Sequence, residues 1–199
     1  MEDFEIIFEM IQELKQELLK LNRPINPFVE TRSLNIEIKN NVNTIRQKMI
    51  EFLRMKEKSI RQEIIELKKV ISASTRLNDE ELLTKSKEQL KLTHQKYQQN
   101  IILLNEMCNI FGHSGTKTGK YYKCSVCNRL VHETNYKGYE ETSNEQLKIN
   151  LSRSFLSKDQ EHIKKKMLEL LPSTTYEPED FMDNQEEVEI SSKKRIRKI

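Results

Sequence analysis

The three cysteines of this 199-residue chain lie with two of its four histidines inside a stretch of 25 residues. Cys108, His113, Cys124 and Cys127 follow the spacing C-x4-H-x10-C-x2-C. Zinc favours thiolate and imidazole ligands, and structural zinc sites made of three Cys and one His are common. Two close pairs can meet around one ion when the spacer between them reverses the chain. The pattern therefore predicts a structural Zn²⁺ site, with His132 as an alternative to His113.

A second interpretation assigns no metal to these residues. Cys108 falls on the apolar stripe of a predicted helix, where it could be an ordinary core cysteine. His113 and His132 would then be surface histidines. The clustering of all three cysteines in one short segment favours the metal site over this alternative.

The segment YYKCSVCNRLVH around the second cysteine pair resembles the second knuckle of zinc-ribbon and treble-clef modules. Tyr121 and Tyr122 have the β-propensity to form a strand leading into the C-x2-C turn. Asn128 stands where such knuckles need a residue with positive φ, a conformation that Asn tolerates best after Gly. The resemblance implies a metal but no particular function. The first half-site departs from a ribbon, because Cys108 would lie at the end of a helix.

The run from Ser114 to Lys120 has the appearance of a phosphate-binding loop. That loop requires Gly, four residues, then Gly-Lys followed by Ser or Thr. Here Ser114 occupies the first glycine position and Tyr121 follows Lys120. We therefore interpret the run as a spacer that lets the chain reverse between His113 and Cys124.

The surroundings of the predicted site argue against catalysis. A catalytic zinc keeps an open coordination position near a general base. No Asp or Glu occurs from Asn109 to His132, and Glu133 is the nearest carboxylate that follows. We expect no enzymatic activity.

The same stretch combines basic and aromatic side chains, which can contact phosphates and stack on bases. The alternative is a solvated loop whose tyrosines cover the metal. The candidate nucleic-acid contacts are Lys117, Lys120, Lys123, Arg129, Tyr121 and Tyr122.

The composition indicates the kind of element that must position these residues. Charged residues make up 33% of the chain and apolar ones 36%, with 4 Gly, 4 Pro and no Trp. This balance suits long solvated helices better than a compact β or α/β domain. The net charge of +3 is too small to indicate nucleic-acid binding by itself. An odd number of clustered cysteines is a poor disulfide framework and indicates a reducing compartment.

The first helix is predicted from a heptad pattern of apolar residues. Its seam can pack on the same chain, or it can serve dimerisation or a partner helix. The seam residues are Phe4, Ile7, Ile11, Leu14, Leu18 and Leu21.

Two longer helices are predicted to form an antiparallel hairpin. The first runs from about Ser33 to Ile71 with an apolar repeat of eleven residues, which keeps the stripe nearly straight. A polar interruption over 72–78 follows, and Asn78 is the expected cap of the second helix. The stripe of the second helix continues to Phe111. Each helix can bury its stripe against the other.

The C-terminal part carries a weaker helical pattern, with a capping box beginning at Ser157 and a stop at Pro172. A tail that is first acidic and then basic follows, with a composition typical of disorder. Its basic end is a candidate nuclear signal formed by Lys193, Lys194, Arg195, Arg197 and Lys198.

The sequence thus predicts a mainly α protein: a long helical hairpin or coiled coil with a small zinc-knuckle module, zinc-ribbon-like or treble-clef-like, and a disordered C-terminal tail. We expect an N-terminal heptad helix and break over residues 1–30 and the hairpin over 33–111. The zinc module is expected over 108–133, short helices over 143–171 and the tail over 172–199.

The leading hypothesis for function is a non-enzymatic zinc-binding coiled-coil adaptor or scaffold in a protein assembly. We expect it in the nucleus, with the cytoplasm as the alternative. Its partner would be another protein or a second copy of the chain, and we expect no small-molecule substrate. We also expect no membrane association, because no apolar run approaches the ~18–20 residues that span a bilayer. The alternative function is a zinc hairpin that binds DNA or RNA in transcription or RNA processing.

Overall fold

The computed structural model describes residues 2–22 and 31–171. Within these residues it is mostly helical, as the composition predicts, with a small antiparallel sheet of order β1-β2-β3. The helices are α1 Glu2–Leu19, α2 Thr31–Leu77, α3 Glu80–Phe111, α4 Asn144–Arg153 and α5 Gln160–Leu170. The strands are β1 Gly115–Thr118, β2 Tyr121–Cys124 and β3 Leu130–His132. Short 3-10 turns occupy Lys20–Asn22, Glu133–Asn135 and Phe155–Ser157.

Several predictions fall on residues that lie outside this description. They are the break over 23–30, the stop at Pro172, the tail over 172–199 with its candidate nuclear signal, and the side chain of Phe4.

The seam of α1 is buried inside the chain's own core. Ile7, Ile11, Leu14 and Leu18 are each at most 2% exposed. They belong to the same apolar cluster as residues of α2 and α3. The four residues are thus covered by this chain, which leaves them no exposed surface for a partner helix.

Helices α2 and α3 pack against each other in antiparallel fashion. Asn100 donates from its amide to the carbonyl of Leu53 at 3.0 Å, and farther along Thr93 donates to Glu63 at 2.9 Å. The residue numbers of the contacting positions therefore increase along α2 while they decrease along α3, as antiparallel packing requires. The seam positions of both predicted stripes face this contact: Met49 and Leu53 on α2 and Leu104 on α3 are buried.

The predicted break between the two helices was placed too early. Helix α2 continues through the polar run to Leu77, and within it the hydroxyls of Ser74 and Thr75 donate to carbonyls four residues back, at 2.9 and 2.8 Å. Asn78 ends the helix with a φ of +55°. The cap of α3 is Asp79 and not Asn78, since the Asp79 carboxylate accepts from the Leu82 amide at 3.0 Å.

The hairpin has two unlike halves. Residues 31–55 and 100–111 pack with α1, α4 and α5 in one apolar core, which we call the base. Residues 56–99, which we call the arm, continue beyond the last core residue of each helix, Leu53 and Leu103. At 1.5 Å per residue, the α2 portion of the arm is about 33 Å long. Most buried positions within the arm are small or polar: Ser74, Ser86, Thr93 and a single leucine, Leu90.

The C-terminal helices close the base. Ser143 caps α4, and Asn150 donates to the carbonyl of Ile110 at 3.0 Å. The capping box predicted at Ser157 is wrong, because Asp159 caps α5 by accepting from the His162 amide at 2.8 Å. Across residues 2–22 and 31–171, no helix has both the length and the apolar character that crossing a membrane requires.

Candidate metal centre

Four of the predicted ligands come together at the end of α3. The ligand atoms of Cys108, His113, Cys124 and Cys127 all lie within 4.8 Å of one another. The three cysteines are buried, with exposures of 3%, 1% and 5%, and none forms a disulfide. The cluster is enclosed by protein, although part of the His113 residue reaches solvent. The arrangement is close enough to hold a metal ion.

The spacing of the ligand atoms matches a tetrahedral ion. Zinc binds sulfur at about 2.3 Å and imidazole nitrogen at about 2.0–2.1 Å, so the edges of the tetrahedron are about 3.8 Å between two sulfurs and about 3.6 Å between sulfur and nitrogen. Cys108 Sγ lies 3.7 Å from Cys124 Sγ, and Cys127 Sγ lies 3.8 Å from His113 Nδ1. These two distances fit the edges of such a tetrahedron, and all the ligand-atom pairs lie within 4.8 Å of one another.

The first half-site is formed where α3 stops. Gly112 ends the helix with φ +92° and ψ 166°, and its N–H donates to the carbonyl of Cys108 at 2.9 Å. A Cβ at Gly112 would lie 2.9 Å from Thr142 Oγ1 and 3.0 Å from the carbonyl oxygen of Lys137. Only glycine satisfies both the backbone angles and the space. The turn at Gly112 directs His113 back toward Cys108.

The backbone of His113 is held from both sides. Its N–H donates to the carbonyl of Lys137 at 2.8 Å, and its own carbonyl accepts from the N–H of Tyr139 at 2.9 Å. The hydroxyl of Tyr136 donates to the same carbonyl at 3.3 Å. These bonds form a short parallel bridge that fixes the position of the imidazole. No prediction was made for the segment around Lys137, so its role in the site was missed.

The second half-site is the C-x2-C knuckle after β2. The Cys124 N–H donates to the carbonyl of Arg129 at 2.9 Å, and the Asn128 N–H donates to the carbonyl of Cys124 at 3.0 Å. Asn128 has a φ of +58°, as predicted from its place in the motif. The N–H of Val126 points at Cys124 Sγ at 3.4 Å, the kind of contact that stabilises a metal-bound thiolate.

The stretch between the half-sites is a β-hairpin. Strands β1 and β2 pair in register from Gly115 opposite Cys124 to Thr118 opposite Tyr121. Gly119 makes the reversal with a φ of +63°. The run that has the appearance of a phosphate loop thus brings His113 and Cys124 together, as the spacer interpretation predicts.

His132 does not join the cluster. It is the last residue of β3, where its Nδ1 lies 2.9 Å from Thr134 Oγ1 and its ring makes an edge contact with Tyr121, with centroids 5.2 Å apart. His113 is the histidine whose ring nitrogen reaches the thiols. The spacing alone could not separate the two, because each lies within reach of the C-x2-C pair along the chain.

The thiols influence one another's ionisation. Hydrogen bonds from the Cys108 thiol and then from the Cys127 thiol lower the pKa of Cys124 far below that of a free thiol. The same contacts raise the pKa of Cys108, with its hydrogen bond to Cys124 as the largest cause. A cation bound among these residues would favour the thiolate forms of the cysteines.

Two arginines of α2 connect the cluster to the helical base. Arg46 donates to Ser114 Oγ at 2.8 Å and stacks on the ring of Tyr139 at 4.0 Å. Arg54 donates to the carbonyl of Ser125 at 2.6 Å. These contacts fix both half-sites against one helix. Nothing in the local sequence around either arginine indicates such a partner about 70 residues away.

The candidate nucleic-acid residues divide between the two faces of the sheet. Lys117 and Tyr122 share the inner face, where Lys117 pairs with Glu133 at 3.0 Å and Tyr122 stacks on Tyr136 at 3.9 Å. Tyr121 and Lys123 lie on the opposite, exposed face. Lys120 and Arg129 are exposed at the two ends of the β2–β3 pair.

Comparisons of this chain with protein-family models, with curated proteins and with solved structures find no match. The function must therefore be argued from the chain's own residues.

Proposed function

We propose that this protein is a non-enzymatic adaptor, in which a structural zinc ion fixes a helical base and the base presents a two-helix arm to a protein partner. The observation that carries the proposal is the closed set of four soft ligands. Catalytic zinc sites leave one position to water, whereas structural sites use four protein ligands. Here three thiols and one imidazole would supply all four positions.

The donor set favours zinc over other ions. Magnesium, calcium and manganese prefer oxygen ligands, whereas tetrahedral sulfur and nitrogen sites suit zinc. Among the residues that the structure describes, no carboxylate belongs to the ligand cluster. Glu106 and Glu133 are the acids nearest the ligands along the chain. The carboxylate of Glu106 accepts from Ser154 and Asn109, and that of Glu133 is bonded to Lys117. A general base for activated water is thus lacking at this cluster, which supports a structural role for the ion.

The metal would join parts of the chain that are far apart in sequence. Cys108 belongs to α3, His113 to the bridge with the 137–139 segment, and the other two ligands to the knuckle. Because Arg46 and Arg54 connect the same region to α2, one ion would fix the base end of both hairpin helices. The arm would then project from a rigid support.

The arm has features of a protein-binding surface. Its helices carry exposed apolar side chains amid charged residues, and Leu77 beside the turn is 77% exposed. The others are Ile65 at 44%, Val70 at 37%, Leu82 at 44% and Leu92 at 52%. An arm with few fully buried positions, most of them small or polar, gains little from its own burial, so we expect a partner helix to pack along it as in a coiled coil.

The test removes part of the arm and leaves the base intact. Deleting residues 60–70 from α2 and 86–96 from α3 takes about three turns from each helix and keeps the antiparallel pairing in register. The shortened chain and the full chain are compared by proximity labelling in cells, and by light scattering for self-association. A matched control changes Lys69, Lys87 and Lys91, three exposed lysines of the arm, to Glu without shortening it.

The adaptor proposal predicts that the shortened protein binds zinc normally but loses a specific set of neighbours, or loses self-association. An unchanged set of neighbours together with an unchanged oligomeric state would contradict it.

A further inference from the structure

We infer that the outer face of the three-stranded sheet binds single-stranded nucleic acid, with Tyr121 as the base-stacking residue. This inference goes beyond the adaptor proposal and requires only that the metal-bound module be folded. The register of the strands carries it, because pairing decides which side chains share a face. The outer face consists of Thr116, Thr118, Tyr121, Lys123, Leu130 and His132.

The outer face is open to solvent and carries a large exposed aromatic residue. Tyr121 is 47% exposed and Leu130 is 65% exposed. The Tyr121 ring makes one edge contact with His132, at an interplanar angle of 82°. Tyr122, by contrast, is stacked on Tyr136 on the inner side. The two adjacent tyrosines therefore have separate roles, one covering the metal module and the other facing outward.

Cations flank Tyr121 on this surface. Lys123 lies on the same face, Lys120 precedes β2 and Arg129 precedes β3, so cations stand at both ends of the β2–β3 pair. Glu133, the acid that directly follows β3, bonds to Lys117. A polyanion that follows the outer face would thus meet the cations of this surface while the carboxylate of Glu133 is already paired.

This combination fits a single strand better than a duplex or an acidic peptide. Sheet faces with exposed aromatics bind single strands because unstacked bases pack on the rings while cations contact the backbone phosphates. A duplex keeps its bases stacked inside and would leave Tyr121 unused. An acidic peptide would use the cations alone. The leucine and the threonines of the face offer no base-specific donor pattern, so we expect little sequence preference.

The test measures binding of the full zinc-bound chain to fluorescent 20-nucleotide single strands of mixed sequence, both DNA and RNA, by anisotropy over a salt series. Tyr121→Ala is expected to weaken binding by about 5- to 150-fold, the usual effect of losing one stacked base. Changing Lys120, Lys123 and Arg129 together to Glu is expected to reduce the slope of log K against log salt by about 2, since each phosphate contact on a single strand contributes about 0.7.

Controls separate this surface from general charge and from misfolding. The arm variant with Lys69, Lys87 and Lys91 changed to Glu alters the net charge equally and should bind like wild type. Tyr121→Phe keeps the ring and should also bind like wild type. Zinc content is measured for every variant, so a folding defect is recognised separately from a binding defect.

Three outcomes of the variant and competition experiments would overturn the inference. The first is that Tyr121→Ala binds with wild-type affinity, and the second is that the arm variant loses as much affinity as the variant with Lys120, Lys123 and Arg129 changed. The third is that polyglutamate displaces the labelled strand as effectively as an unlabelled strand does. A chain that keeps its zinc but fails to bind the strands would refute this inference and leave the adaptor proposal standing.

Discussion

Replacing Gly112 by alanine should damage the metal centre more than an equivalent change elsewhere in the same module. Gly112 has φ +92° and ψ 166°, a region of backbone space occupied essentially by glycine alone. A Cβ there would also lie 2.9 Å from Thr142 Oγ1, 3.0 Å from the Lys137 carbonyl oxygen and 3.1 Å from the Gly138 carbonyl carbon. Two of these three neighbours are backbone atoms, which cannot turn aside as a flexible side chain can.

The expected cost follows from these two effects. Forcing a residue with a Cβ into this backbone conformation costs about 1–3 kcal/mol. Adding a methyl group to a packed site costs about 1–3 kcal/mol more. The free energy of unfolding should therefore fall by about 2–6 kcal/mol, a large part of the stability of a small protein.

Gly119 provides a matched control. It also has a positive φ, +63°, but a Cβ there would meet no atom within 4 Å. Gly119→Ala should cost only the left-handed penalty of about 1–2 kcal/mol. Both changes reduce the conformational entropy of the unfolded chain equally, so this effect on the free energy of unfolding cancels when the two variants are compared.

The assay is urea unfolding followed by circular dichroism, with both variants at the same excess of zinc because bound metal adds stability by mass action. We expect the unfolding midpoint of Gly112→Ala to lie well below that of Gly119→Ala, and its zinc affinity to be lower. If the two variants unfolded within about 0.5 kcal/mol of each other, the close packing at Gly112 would not be what forms the first half-site.

Two further predictions concern the base. Asn100→Ala removes the buried hydrogen bond to the Leu53 carbonyl and should lower the free energy of unfolding by about 1–3 kcal/mol, as measured by urea unfolding. A loss below about 0.5 kcal/mol would show that this bond contributes little. Burial raises the pKa of the Tyr139 hydroxyl. The folded state therefore keeps this proton at a pH where the unfolded state has lost it, and the free energy of unfolding should fall as pH rises above about 10. Tyr139→Phe should make that decline shallower by up to about 1.4 kcal/mol per pH unit, and an unchanged slope would contradict the assignment.

The features that the sequence predicts correctly depend on local information. The ligand spacing brings Cys108 and His113 to one cluster because only a helix end and a single turn separate them. The positive φ of Asn128 follows from its place after the C-x2-C pair. Apolar periodicity likewise identifies the buried faces of α1, α2 and α3, because a helix repeats its contacts every three to four residues.

The features that the sequence did not predict depend on contacts with residues far away in the chain, or on two adjacent residues that are almost equally suited to the same role. Asn100 is a polar residue and yet only 5% exposed, because its amide donates to the Leu53 carbonyl on the other helix. Arg46 and Arg54 look like ordinary surface cations until α2 is placed beside the knuckle. The cap at Asp79 was misassigned by one residue because Asn78 is an equally good capping type.

The central claim is that one structural zinc ion holds this chain together, and the zinc content of the purified protein tests it most directly. Elemental analysis should give one zinc per chain for the wild type, none for Cys124→Ser and much weaker retention under chelator for His113→Ala. His132→Ala should keep its zinc, because His132 lies outside the cluster. A folded wild-type protein without zinc, or a Cys124→Ser variant that retains a full equivalent, would contradict the account.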